Sequence, residues 1–440
     1  MTAPAIASHI RQPRSRWAVP AAILFAALVT AFYAAVWKDA PFHATDTPEY
    51  LEAARAIATG HFEIQQPRTP GLPLFVLLAG TGRGFFLLSL ALHLAAVGLL
   101  AWVLAAMGVN GVLIALFAAI AVLPGFVQKD AYILSEGLFE FLVAAGFAGL
   151  WPGRRAPWRL ALSGTAFALA TLTRPQNQLL PLVLMALLAV YFGGRGVRMA
   201  AWLMAPYCLI VGGVMANNFV RFHDPGLTYT VGFHLGTRTV TLYEDIPDRQ
   251  LRDVLVATRN AAYGNPNRNI YWTSLYTRDE LGRMKGMTRQ QLARYERDVF
   301  VRLILGHPLA YLEEVGRGFV HFWFPDLSKQ TNQGRALRAV SMAAQVGLAF
   351  VFWPVFVVWA GLWLGRRALP VPEWLENTAQ RFIFAAGMAT ILYTAAICCL
   401  FDMGEPRYRT TVDLEILFVA VVAGDFLWKA RRARTAIARR

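Results

Sequence analysis

Cysteine is nearly absent: Cys208, Cys398 and Cys399 are the only three in 440 residues, and no CxxC pair occurs. All three fall in apolar stretches and two are adjacent, so neither a disulfide framework nor a thiolate metal site is built into this chain. Charge is scarce as well, at 16% of residues against 56% hydrophobic content and a mean hydropathy of +0.42. That balance excludes a soluble domain of this length. Acidic side chains are the scarcer sign, with 27 Asp and Glu against 42 Lys and Arg. His43, His61, His307 and His321 are scattered without ligand spacing, which argues against a zinc site. There is no internal repeat, no low-complexity tract and no inverted pair of Gly/Pro-broken apolar spans, and the last of these absences counts against many transporter architectures.

What the chain has instead is long apolar runs. Crossing about 30 Å of hydrocarbon takes roughly 20 residues with few charges. Ten stretches meet that description: 17 to 37, 84 to 106, 111 to 127, 134 to 151, 160 to 173, 178 to 192, 199 to 216, 337 to 364, 380 to 400 and 410 to 428. A further short piece, 71 to 80, reads as re-entrant or interfacial. The expected fold is an all-α polytopic membrane protein of about ten transmembrane helices. The first span follows a basic start but lacks a small-residue cleavage site, and is expected to be retained.

Orientation follows from Lys and Arg in the short loops. With a cytoplasmic N-terminus, Arg11/Arg14/Arg16, Arg154/Arg155/Arg159, Arg195/Arg198, Arg366/Arg367/Arg381 and the tail from Lys429 to Arg440 all fall inside. These segments account for the whole formal charge of +15. The basic balance is therefore a topology signal, with membrane lipid as its counterpart and no nucleic-acid partner implied. The elaboration is all outside: a first loop from 38 to 70 and a large segment from 217 to 336. Three parts are expected: an N-terminal transmembrane catalytic module (1 to 216), a partly helical periplasmic loop subdomain (217 to 336) between spans seven and eight, and C-terminal helices with a basic tail (337 to 440).

Within the large segment, Leu292, Tyr295, Val299 and Leu303 repeat at helical spacing until Gly306, His307 and Pro308 break the pattern before a second amphipathic helix. The stretch from Arg221 to Tyr243, rich in Thr, Tyr, Val and Gly, is expected to hold short strands. In the first loop, Thr47 reads as an N-cap, Pro48 as the first helical residue and Gly60 as the residue just past the end. The resulting three-turn helix puts Tyr50, Ala54, Ile57 and Ala58 on one side, which is expected to rest on the membrane surface.

Several charged residues gather at the outer surface. Asp46 precedes the helix N-terminus, where the partial positive charge favours its ionised form, and an ionised carboxylate at a sheltered rim suits a general base. Arg68, in RTPGLPLF, is held among Pro67, Pro70, Gly71 and Pro73, and a guanidinium fixed there suits a phosphate because its planar fork donates paired hydrogen bonds. Lys129 and Asp130 occupy the turn after the third span with Glu136 slightly inside the next, Arg174 ends the fifth, and Glu405, Arg407, Tyr408 and Arg409 lie between the last two. Only Asp413 and Glu415 are expected deeper, about a turn below that surface.

These residues resemble, in order and in type, the integral-membrane GT-C glycosyltransferases that use polyprenyl-phosphate sugars, such as protein O-mannosyltransferases and the aminoarabinose transferases of lipid A. The likeness rests on Asp46 with Tyr50 four positions on, RTPGLPLF, SEGLF at 135 to 139, LTRP at 172 to 175, GHPLAYL at 306 to 312 and PRY at 406 to 408. Each is weak alone; their shared order spans most of the chain. The resemblance implies inverting transfer at the periplasmic face of a bacterial inner membrane, from a polyprenyl-phosphate sugar donor to a lipid, glycan or protein acceptor. It gives Asp46 the base or acceptor-orienting role, with Tyr50 beside it, and leaves the second acidic residue open between Asp130 and Glu136. Arg68 becomes the phosphate contact, with Arg174, Arg407 and Tyr408 in support. No cofactor is called for, and a divalent metal requirement is left open. No separate soluble C-terminal domain is expected, which favours a lipid or glycan acceptor. The alternatives are a transporter or flippase of lipid-linked saccharide, and an O-antigen ligase or polymerase.

Overall fold

The computed structural model describes residues 17–60, 68–151, 157–263, 265, 268–324, 335–364 and 378–438. Arg11, Arg14, Arg16, His61, Pro67, Arg154, Arg155, Arg366, Arg367, Arg439 and Arg440 lie outside the described residues. The architecture is all-α, and among the described residues the only strand-like pairing is one bridge between Phe42 and Tyr132.

The first part runs α1 (Ala18–Val36), α2 (Thr47–Ala58), α3 (Gly71–Ala79), α4 (Arg83–Ala106), α5 (Gly111–Ala121), α6 (Pro124–Val127), α7 (Glu136–Leu150), α8 (Pro157–Thr173) and α9 (Leu180–Phe222). Next come α10 (Val231–Arg238), α11 (Arg249–Tyr263), α12 (Thr273–Lys285), α13 (Arg289–Gly306) and α14 (Pro308–Phe322). The last part holds α15 (Arg335–Leu364), α16 (Thr378–Phe401), α17 (Pro406–Arg409) and α18 (Asp413–Ala438).

Helix occupies all ten stretches expected to cross the membrane. By length and composition, five helices among the described residues qualify as spans, or six if α5 is joined to the 124–131 segment across its 60° bend. The count falls short of ten for definable reasons. α7 and α8 have only 15 and 17 residues, and α18 opens on Asp413 and Glu415. α9 is a continuous 43 residues only in outline, because Gly193, at φ 56°, interrupts it between the two expected spans. Leu24, Leu28 and Phe32 on α1, Leu209 and Val220 on α9, and Val357 and Val358 on α15 are exposed, as an apolar solvent allows. Inside, Phe147 and Phe167 are fully buried where α7 meets α8, and the Ser163 hydroxyl donates to the Gly146 carbonyl at 2.6 Å across the same contact.

The segment after α9 builds its own apolar cluster from Phe233, Leu235, Tyr243, Leu251, Leu292, Val299, Phe300 and Leu303, among others. α13 begins at a capping box: Thr288 and Gln291 each satisfy the other's backbone amide. Of the predicted stripe, Leu292, Val299 and Leu303 are buried and Tyr295 is half-buried, joined by Ala293, Glu296 and Phe300. The strands expected between 221 and 243 do not form. Those residues make the end of α9, then α10 and a 3₁₀ turn over Val240–Asp245. Strand propensity is a preference for a pleated, half-buried surface. Here Phe233, Leu235 and Val240 are buried in the segment's helical apolar cluster instead.

Candidate active site

The first loop reaches its position through backbone pairing. Phe42 donates to Ala131 at 2.7 Å and accepts from Ile133 at 3.1 Å, which fixes residues 42–46 alongside the turn that leads into α7. Asp46 is the residue that opens α2; Thr47, expected to cap it, is the first helical residue. The Thr47 hydroxyl instead accepts from Ala44 at 2.8 Å and donates to Ile133 at 3.1 Å, tying the helix start to that turn. Tyr50, Ala53 and Ala54 are buried, so the apolar side of α2 packs on protein rather than resting on a membrane surface. Gly60 follows the helix as expected, at φ 72°.

Arg68 and Arg174 are brought together by a second join. The Thr69 hydroxyl donates to Thr173 at 3.1 Å, and α3 starts so close to the end of α8 that a Cβ at Gly71 would lie 2.4 Å from Thr173 Oγ1. Only glycine permits that approach. On the far side, the 402–409 turn owes its path to Gly404, at φ 66° and packed against the Gly318 carbonyl.

These joins produce a linear chain of alternating charges. Arg278 contacts Glu49 at 3.2 Å; Glu49 takes the Arg68 Nε–H at 2.8 Å; Arg68 reaches Asp46 at 2.8 Å; Asp46 receives Arg407 at 2.7 Å. Arg407 also donates to Glu136, which lies 3.3 Å from Arg174. Seven groups from α2, the α3 entry, α7, the end of α8, α12 and α17 are thereby linked, with a guanidinium at each end. Arg68 also stacks over Tyr50 and Arg174 over Tyr408, at 4.9 and 5.2 Å. Ser135 bridges the two halves, accepting from Tyr50 at 3.1 Å and from Arg174 at 3.0 Å.

The chain forms one wall of a cavity of about 330 Å³ lined by Asp46, Tyr50, Arg68, Arg174, Arg407 and Tyr408. Six of the eight residues singled out from sequence thus share one space, and Glu136 sits fully buried behind it. Burial opposes ionisation of Asp46, but Arg407 and then Arg68 outweigh it and hold the carboxyl well below the usual carboxylate range. Both Asp46 oxygens are engaged by guanidinium groups, an arrangement better suited to orienting cations than to taking a proton.

Asp130 goes elsewhere. Residues 128–131 form a 3₁₀ turn that points Lys129 and Asp130 away from the cavity, with exposures of 5% and 1%, so neither occupies an outside-facing turn. They join His93 and Glu140 inside the helix bundle. His93 lies 3.4 Å from Asp130 and 3.1 Å from Glu140, and Lys129 donates to Glu140 and to the Thr410 carbonyl. Asp413 pairs with Arg409 at 3.1 Å nearby in sequence, and Glu415 is equally buried. The expectation that charges would gather only at one surface is therefore corrected: a second, fully buried polar group lies within the apolar helices. None of its members lines the cavity.

Other residues of the cavity were missed from sequence. His234 on α10 lines the cavity with Asp402, just beyond α16; Nδ1 lies 2.8 Å from the Asp402 carboxylate, which also accepts from the Tyr408 hydroxyl at 2.8 Å. Partial desolvation in the cavity would lower the pKa of the half-exposed His234, but Asp402 reverses this and the pKa is raised. Glu49 and Arg278 were missed too. The available signal was DMGEPRYR itself, whose Asp402 is the first residue past an apolar run.

No family model matches the chain, and no curated protein does. Among solved structures, one similar to it is ArnT from Cupriavidus metallidurans bound to undecaprenyl phosphate. Identity is 11%, the match covers 90% of this chain and 77% of that one, and the TM-score is 0.38. At that score the likeness decides nothing about the site.

Proposed function

We propose that this chain is a membrane glycosyltransferase that moves a monosaccharide, with inversion, from a polyprenyl-phosphate donor to a hydroxyl of an envelope lipid, glycan or protein. The observation that carries the reading is the convergence of Arg68, Arg174 and Arg407 on one cavity at the ends of the apolar helices. A departing phosphate needs charge stabilisation more than it needs protonation. Three preorganised guanidiniums offer that, at about 3 kcal/mol for each well-placed donor. Asp46, Glu49 and Glu136 fix the forks before substrate arrives, so little reorganisation is left to the reaction. The same cavity has an apolar flank of Leu179, Val231, Ile397 and Phe401, which suits the first isoprene units of a lipid carrier. We place the site at the periplasmic face of a bacterial inner membrane, on the distribution of Lys and Arg among the loops.

Transport of a lipid-linked saccharide is the competing reading, and the buried Lys129–Glu140–His93 group is the feature that favours it. That group does not open onto the cavity, which leaves it without a path for cargo. Transfer of radiolabelled sugar from purified polyprenyl-phosphate donor separates the two. Arg68→Ala is expected to lower kcat/KM about 10²- to 10³-fold. Full transfer by that variant would sink the site assignment.

A further inference from the structure

We propose that His234 is the general base that takes the acceptor's proton, with Asp402 as its positioning residue. The inference rests on the transferase reading above and names who performs its proton transfer. Asp46, the base expected from sequence, has both oxygens tied to Arg68 and Arg407 at 2.8 and 2.7 Å. His234 is differently equipped. Its side chain is 46% exposed while lining the cavity, so solvent and substrate reach it. Asp402 holds Nδ1 at 2.8 Å, which fixes the tautomer and leaves Nε2 as the nitrogen able to accept. Asp402 is itself fixed, by the Tyr408 hydroxyl at 2.8 Å and the Met403 amide at 2.7 Å, and its backbone carbonyl accepts from Arg238. An imidazole oriented by a buried carboxylate is an arrangement that general-base chemistry uses on unrelated folds.

The step balances. The acceptor O–H gives its proton to Nε2 as the oxygen bonds to the anomeric carbon. The bond from that carbon to the phosphate oxygen breaks, and its electron pair leaves with the lipid phosphate toward the three guanidiniums. The base and the cations line the same cavity, so the acceptor and the phosphate can be held there together.

The charges that bear on the ring are Asp402, Arg68 and Asp46. The other elements packed on α10 contribute groups already committed: Arg278 to Glu49, Glu314 to Arg317 and Glu244 to Arg259, with Glu296 buried within α13 and Tyr271 adjoining. Asp402 therefore dominates, and its removal lowers the pKa of His234.

The test uses full-length protein in lipid nanodiscs with purified polyprenyl-phosphate sugar. Wild type, His234→Gln, Asp402→Asn and Asp46→Asn are compared for kcat/KM across pH, and for binding of polyprenyl phosphate alone. Wild-type transfer is expected to rise with pH through one ionisation. His234→Gln should lower kcat about 10²- to 10⁴-fold, abolish that ionisation and leave polyprenyl-phosphate binding within about threefold. Asp402→Asn should move the ionisation to lower pH. In parallel, the pH dependence of His234 modification by diethyl pyrocarbonate, read by mass spectrometry, should follow the same ionisation and shift downward in Asp402→Asn. Active wild type with an unchanged profile in His234→Gln, or loss of the ionisation in Asp46→Asn, overturns the assignment. Wild type that transfers nothing from any such donor overturns the functional reading, and the base role falls with it.

Discussion

Replacing Arg407 tests whether the alternating charges act as one unit. Its guanidinium donates to Glu136, which is fully buried, and to Asp46 at 2.7 Å. Arg407→Ala leaves Glu136 with Arg174 at 3.3 Å and Asp46 with Arg68 at 2.8 Å. Removing one partner of a buried pair costs about 3–5 kcal/mol, mostly for the charge left behind. The surviving Arg174 contact puts this case at the low end, about 3 kcal/mol. Glu136→Gln removes the charge but keeps an acceptor, so its cost is that of a weakened hydrogen bond to a charged group, about 1.5 kcal/mol. If the effects were independent, the double variant would lose about 4.5 kcal/mol. With no orphaned carboxylate at position 136, it should lose only about 2 kcal/mol, a coupling of about 2.5 kcal/mol, within the range for residues in one network. Denaturant titration in mixed micelles reads the stabilities, and the sugar-transfer assay reads activity beside them. Stability should recover in the double variant while transfer does not, because the phosphate contact is still missing. Additivity within about 0.5 kcal/mol would refute the linked chain.

Two other perturbations are informative. Lys129→Met strips Glu140 of its ammonium partner and should destabilise by about 3–5 kcal/mol, and adding Glu140→Gln should recover much of that; a single variant as stable as wild type would remove the buried group from the account of stability. In the loop segment, burial works against ionised Asp248, but Lys285, the Tyr295 hydroxyl and the Leu251 amide outweigh it and hold its pKa at about 2, below the usual carboxylate range. A depressed carboxyl stabilises above its unfolded pKa and loses that contribution as pH falls through the folded one, so Asp248→Asn should destabilise at neutral pH and erase part of the acid sensitivity between about pH 4 and pH 2. Hydrogen exchange at α11 and α13 reads this, and an unchanged acid profile would refute it.

The helices and half of the site were legible for the same reason: both are written locally. The α13 stripe repeats every turn, and Arg68 announces itself by lying among prolines beside a glycine. Asp130 and Glu136 could not be ranked because a 3₁₀ turn and an extended stretch separate them, and no single period carries a facing direction across that change. His234 was invisible because its meaning comes from Asp402, and the two meet only after α10 and α16 have packed. The 221–243 stretch misled through its Thr, Tyr and Val content, where burial against helices overrode strand preference. Thr47 was misplaced by one residue, its hydroxyl being spent on the 131–133 turn.

The linked charges also impose an order on biosynthesis. Asp46, Glu136 and Arg174 are made early, but Arg407 follows Glu136 by 271 residues. At about 5–20 residues per second, the ribosome adds it roughly 15–50 s later. During that interval Asp46 and Glu136 lack the guanidinium they share. Closure of the 402–409 turn is then the event that completes the pocket, so a partly made chain holds no finished phosphate site with which to capture carrier lipid.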